Sequence, residues 1–177
     1  MEPRITHGER IVLAGYSFFG DPFAETGCWT EENEIGRLWD RFFGYHSHRQ
    51  DPCAGYDEAL VAYEVHVECD QTASTGHREV FVGIRVDTLD EVPVDLLVKV
   101  LPATQYVVFT LRGREIASDW SQQTSEWMLH NGYIAAYPYG FQLYDQRFKG
   151  LDNLEASELD VYIPIRPADD GSTDCDR

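Results

Sequence analysis

Aromatic rings are the largest chemical resource of this chain: 4 Trp, 10 Tyr and 9 Phe, 13% of the sequence. Ring faces hold flat or cationic ligands by stacking and cation–π contact, worth ~0.5–2 kcal/mol each. Rings at periodic positions serve equally as core. His46, His48 and Cys53 bring three potential metal ligands into one stretch. Their spacing matches no closed zinc pattern, so they read as a solvated loop and no metal site is expected. No Gly-x-Ser-x-Gly elbow occurs, and no residue reads as an activated nucleophile, so no catalytic residue is assigned. No glycine-rich loop precedes a helix with phosphate-binding spacing; Gly113 reads as a turn glycine between strand and helix. No cofactor is expected.

The elements that must position these residues form one pattern written twice: an extended segment, a helix and two period-2 strands. The first copy spans residues 4–86 and the second 96–165. In the first, Ile11–Phe19 is extended and 21–29 is a loop. Thr30 then caps a helix with Glu31, Glu32 and Glu34 in its first turn, favourable at the positive end of the helix dipole. Ile35, Leu38, Trp39, Phe42 and Phe43 make one apolar face, and Gly44 ends the helix. Val61, Tyr63, Val65 and Val67 alternate with Ala62, Glu64, His66 and Glu68, which predicts a strand with one wet face. A turn at 70–77 leads to Val80, Val82, Ile84 and Val86, completing a hairpin. Residues 87–93 link the halves.

In the second copy, 96–101 and 106–111 are extended around Pro102. A helix is expected over 115–130, with Gln123 and Thr124 interrupting its apolar stripe, and Asn131-Gly132 stops it. Strands follow at 141–148 and 159–165. The pattern predicts an α+β fold: an antiparallel sheet of about eight strands, two helices on one face, and a cleft between two pseudo-symmetric halves. Residues 1–167 read as one domain and 168–177 as an acidic, disordered tail.

The chain has 177 residues, 43% of them hydrophobic, enough to bury a full core. Its formal net charge of −17 argues against direct nucleic-acid binding, because phosphate contacts need a basic face. No segment approaches the ~20 apolar residues of a membrane helix. The N-terminus MEPRITHGER lacks the apolar core of a signal peptide. Cys28, Cys53, Cys69 and Cys175 show no CxxC spacing and are expected to be reduced thiols in the cytoplasm.

Five stretches, in order, carry a resemblance: EIGRLWDRFF (34–43), LPATQYVVFTLRG (101–113), SEWMLHNGY (125–133), FQLYDQRF (141–148) and ELDVYIPI (158–165). Together they resemble the gyrase-inhibitor-like small-molecule-binding family, also called AraC-type or bacterial transcription activator effector-binding domains. The resemblance covers residues 2–166. It implies a duplicated strand-helix-strand-strand fold that binds hydrophobic, often cationic, aromatic compounds between the two helices. The family includes sensing halves of transcription factors and free-standing proteins, among them gyrase inhibitors and hydrolases of cyclopropane-bearing toxins. By resemblance this chain is the free-standing kind.

The resemblance also nominates Trp39, Tyr63, Tyr106, Trp120 and Tyr144 as ligand-binding walls, with Gln142 among them. Many members read F-E-x-Y where this chain has Phe141-Gln142-Leu143-Tyr144, and that Glu is a counter-charge or catalytic base. Gln142 is isosteric but neutral and takes no proton at neutral pH. A cation there would lose a direct ion pair. Glu64 is the replacement carboxylate to consider. Period-2 alternation, however, sets it on the face opposite Tyr63, so both cannot enter the cleft. Three functions remain open: a free-standing protein that holds a hydrophobic aromatic ligand, neutral or cationic, for sensing or sequestration, with transcription regulation as a related role; a hydrolase of strained electrophilic toxins; and a gyrase-type inhibitor that binds a protein partner. Oligomeric state and ligand identity are not legible.

Overall fold

The computed structural model describes residues 3–24, 33–49, 60–90 and 92–168, with backbone alone at 46–49. The strands are β1 Arg4–Gly8, β2 Ile11–Gly20, β3 Ala62–Glu68, β4 Arg78–Arg85, β5 Leu97–Leu101, β6 Thr104–Arg112, β7 Tyr133–Ala135, β8 Tyr139–Tyr144 and β9 Glu158–Pro167. The helices are α1 Glu34–Arg49, α2 Thr72–Thr75 and α3 Ser121–His130, with 3-10 turns at Gly113–Ala117 and Leu151–Ala156. All pairings are antiparallel, in the order β1-β6-β9-β8-β3-β4-β2-β5, with β7 beside β9. This is the expected duplicated α+β architecture, with nine strands among the described residues rather than about eight.

The order is symmetric. Exchanging β1 with β5, β2 with β6, β3 with β8 and β4 with β9 reverses it onto itself. The pseudo-twofold axis therefore passes through the β3/β8 pair. The first strand of each half crosses over: β1 pairs with β6, and β5 with β2. These crossings interlock the halves. β5 ends the order and β6 lies near its other end, yet only Pro102 and Ala103 separate them. Three Cα steps of about 3.8 Å span little more than ~11 Å, so the sheet must curl until its ends meet at that corner. Gly15 and Gly83, paired across β2 and β4, make room where those strands approach. A Cβ on Gly15 would sit 2.0 Å from the Val82 carbonyl oxygen.

Two layers of side chains follow. On one face, α1 lays Ile35, Leu38, Trp39 and Phe42 on Tyr16, Ala62, Val80 and Val82. Further along the same face, Trp127 and Met128 of α3 pack on Val107, Phe109 and Ile165. The other face holds Leu13, Val65, Phe81, Leu101, Tyr106, Val108 and Phe141 inside the curl. The sheet is thus buried on both sides at its centre. The wet face expected of β3 is not found: Ala62 and Glu64 are 3% and 2% exposed because α1 covers them.

Local departures have local causes. Helix α1 starts at Glu34, and the Asn33 side-chain oxygen accepts from the Ile35 and Gly36 amides at 3.0 Å each, so Asn33 is the cap. Thr30, Glu31 and Glu32 lie outside the described residues. Gly44 does not end the helix. Glycine costs only about 1 kcal/mol in a helix, and Phe43 and Tyr45 on either side pack against the core and hold the turn. The expected helix over 115–130 is broken: a 3-10 turn ends at Ala117, and a fresh helix starts at Ser121, whose amide (3.2 Å) and hydroxyl (2.6 Å) donate to the Asp119 carboxylate. Strand β8 stops at Tyr144, where Asp145 accepts from the Arg147 amide at 2.9 Å and turns the chain. The tail beyond residue 168 lies outside the described residues.

One buried carboxylate ties β1 to the second half. Asp160, 2% exposed, accepts from Arg4 at 2.8 Å, Thr110 at 2.6 Å and Arg147 at 2.9 Å. Burial alone would raise its pKa, but the bonds from Arg147, Thr110 and Arg4 prevail and hold it below the ordinary aspartate value. Asp145, bonded by Arg147, is likewise held low. A depressed native pKa stabilises the fold above the unfolded-state value, and that stability is lost as pH falls through the native one. Asp160→Asn is expected to lower stability by about 2–3 kcal/mol at neutral pH in urea unfolding. It should also make the decline below about pH 4 shallower than in the unsubstituted protein.

Candidate functional site

The site follows from one row across the helix-bearing face. Residues paired directly in a sheet point to the same side. Tyr16 pairs with Val82, Val82 with Glu64, Glu64 with Gln142, Gln142 with Val161, and Val161 with Phe109. All six therefore face the helices. At the α1 end Trp39 and Phe42 join the cluster of Tyr16 and Val82; at the other end Trp127 of α3 meets Phe109 edge-on at 5.8 Å. Glu64 and Gln142 occupy the middle.

They are also each other's symmetry counterparts, as the ladder shows step by step. Ile11 pairs with Leu101 as Thr104 pairs with Gly8. Two residues on, Leu13 pairs with Arg85 as Tyr106 pairs with Pro164. Three residues back along β4 and β9, Val82 meets Glu64 as Val161 meets Gln142. One position holds a carboxylate and its mate an amide. Two residues further along the same face, His66 corresponds to Tyr144. Each reaches back in the same way: His66 Nε2 lies 2.8 Å from Glu64 Oε1, and the Tyr144 hydroxyl donates to Gln142 Oε1 at 2.8 Å.

Glu64 is held at both oxygens. Trp39 Nε1 donates to Oε2 at 2.5 Å, and His66 takes Oε1. A buried carboxylate without such partners would be strongly disfavoured. The Trp39 ring lies 4.8 Å from the Tyr144 ring, edge to face. Tyr144 joins the two sides, since it packs with the α1 cluster and with Leu111, Leu159 and Val161 beside Trp120. Burial first, and the charge of Glu64 second, push the Tyr144 phenol well above its ordinary value. It therefore stays a protonated donor.

Of the nominated residues, Trp39, Gln142 and Tyr144 come together with Glu64. Trp120 joins through the cluster it shares with Tyr144. Tyr63 and Tyr106 do not: both lie on the opposite face, where Tyr63 packs near Phe141 at 5.6 Å and Tyr106 bonds the Tyr139 hydroxyl at 2.7 Å. Alternation is the reason. With Tyr63 turned into the curl, Glu64 must turn toward the helices. His66 was the residue missed, because Glu64, His66 and Glu68 at every second position resemble solvated polar alternation. Thr124, half of the polar break in α3, is buried and back-bonds the Ser121 carbonyl at 2.9 Å. The imidazoles of His46 and His48, and all of Cys53, lie outside the described residues.

A family model for integron-associated effector-binding proteins, Cass2, matches residues 4–165. The chain belongs to this family. No curated protein matches the chain significantly. Several solved structures share the fold at low identity. SAV2435 bound to tetraphenylphosphonium superposes with a TM-score of 0.65 at 13% identity, covering 94% of each chain. An integron cassette protein from the mobile metagenome of Vibrio cholerae gives 0.59 at 16%, over 93% of this chain and 95% of its own. A hydrolase encoded by lin2189 from Listeria innocua gives 0.53 at 11%, over 93% of this chain and 92% of its own.

The contact between Trp39 and Glu64 is open to direct measurement. Trp39→Phe removes the indole donor and is expected to cost about 1–3 kcal/mol in urea unfolding. In a Glu64→Gln background the same change should cost less, with a coupling of about 1 kcal/mol or more. Strict additivity would mean that the indole and the carboxylate do not interact.

Proposed function

We propose that this effector-binding protein holds a lipophilic aromatic cation between α1 and α3, with Glu64 as its counter-charge. The observation that carries the reading is the placement of Glu64 beside Trp39 and Tyr144, in the symmetry position of the neutral Gln142. The F-E-x-Y acid absent from β8 is supplied from β3 instead. The surrounding rings offer stacking and cation–π contact. The net charge of −17 favours the approach of cations. A fold shared with a tetraphenylphosphonium complex supports the ligand class. Sensing or sequestration of such compounds is the role this chemistry suits.

Tetraphenylphosphonium and neutral triphenylphosphine oxide make a suitable probe pair. A ligand at 100 times its dissociation constant adds ~2.7 kcal/mol, readable as a thermal shift. Glu64→Gln is expected to weaken phosphonium binding by about tenfold or more and to leave the neutral probe nearly unchanged. Equal effects on both probes would place the carboxylate out of contact.

A second reading, hydrolysis of a strained electrophile, rests on the same carboxylate acting as base. Turnover of a cyclopropane-bearing substrate that Glu64→Gln abolishes would favour it over simple binding.

A further inference from the structure

Symmetry makes His66 the unusual member of the central group. Its counterpart Tyr144 donates to Gln142, and both partners are neutral. His66 meets Glu64 at 2.8 Å in the same arrangement, with 18% of its side chain and 2% of that of Glu64 exposed. A phenol stays neutral to about pH 10, whereas an imidazole changes charge between about pH 5 and 8. One half of the site therefore pairs a phenol with an amide, and the other an imidazole with a carboxylate.

We infer that His66 sets the charge preference of the site: its protonated ring competes with a bound cation for Glu64. This rests on the reading of Glu64 as counter-charge. With a neutral imidazole, the pair carries one negative charge and attracts a cation. With an imidazolium, the pair is neutral, and an arriving cation meets a like charge beside the carboxylate. Binding strengthens as pH rises through the imidazole range and releases a proton where the free protein holds one.

Among the described residues, the surroundings leave this competition to the pair. On the flanking strands His66 pairs with Val80 and Gly140, neither of them titratable. From β8 the nearby groups are Gln142 and the Tyr144 phenol, and from α1 the Trp39 indole bonds the same carboxylate. Among the described charged side chains of α1, Glu34 pairs with Arg37 at 2.7 Å, Arg41 lies over the Tyr16 ring at 4.2 Å, and Asp40 is exposed. Glu68 and Arg78 stand opposite each other in the β3/β4 register, further along the same face. Glu79 faces the other side, where it bonds Lys99 and Ser17.

The test is calorimetric titration of the full chain with tetraphenylphosphonium at about pH 8 and about pH 5.5, in buffers of different ionisation enthalpy. Affinity is expected to fall by about tenfold or more at the lower pH, with up to about half a proton released per cation near the midpoint of the free protein's titration. Triphenylphosphine oxide should bind equally at both. His66→Gln keeps a neutral donor and should flatten most of the phosphonium profile, leaving only the slope due to overall charge. Nuclear magnetic resonance of the His66 ring in the unsubstituted protein gives a second readout: the bound cation should shift its titration to lower pH. Phosphonium binding with no pH dependence, an undiminished slope in His66→Gln, or an unmoved His66 titration would overturn this inference alone. No phosphonium binding at either pH would overturn the binding reading and this inference together.

Discussion

The central constraint is a carboxylate taken out of water. Glu64 sits at the middle of a sheet buried on both faces, and such a group persists only if its oxygens are bonded. Trp39 and His66 each bond one. The indole bond also fixes where α1 lies along the sheet, because the tryptophan must reach Glu64 while Ile35, Leu38 and Phe42 bury against Tyr16, Val80 and Val82. Position of the helix, orientation of the indole and charge of the site thus depend on a single side chain.

The axis through β3 and β8 makes the positions of Glu64 and Gln142 equivalent, so a carboxylate at either one would stand in nearly the same place. Gln142 and Tyr144 make the amide version of the arrangement, and Glu64 and His66 the carboxylate version. The interlocked strands β1 and β5, with Asp160 clamping Arg4 and Arg147, keep the halves in register.

Much of this was legible in the sequence, and the failures are instructive. Period-2 alternation placed the strands, and the apolar stripe of Ile35, Leu38, Trp39 and Phe42 located α1. The helix runs on past Gly44 because packing by Phe43 and Tyr45 outweighs the modest cost of a glycine. Alternation also implied that Tyr63 and Glu64 exclude each other from the helix face; the choice between them needed the sheet order. A central strand of a curled sheet has no wet side, so polar residues at every second position cannot be assumed to be solvated. Tyr63 and Tyr106 lie on the other face, which is filled by the curl. The long-range partner of Glu64, a tryptophan 25 residues away, lies beyond what spacing encodes.

A crystal structure of the tetraphenylphosphonium complex would test the account most directly. The phosphonium centre should lie on the helix-bearing face, nearer to the Glu64 carboxylate than to the Gln142 amide, with Trp39 and Tyr144 against its phenyl rings. A cation seated instead on the opposite face, among Tyr63, Tyr106 and Tyr139, would contradict it.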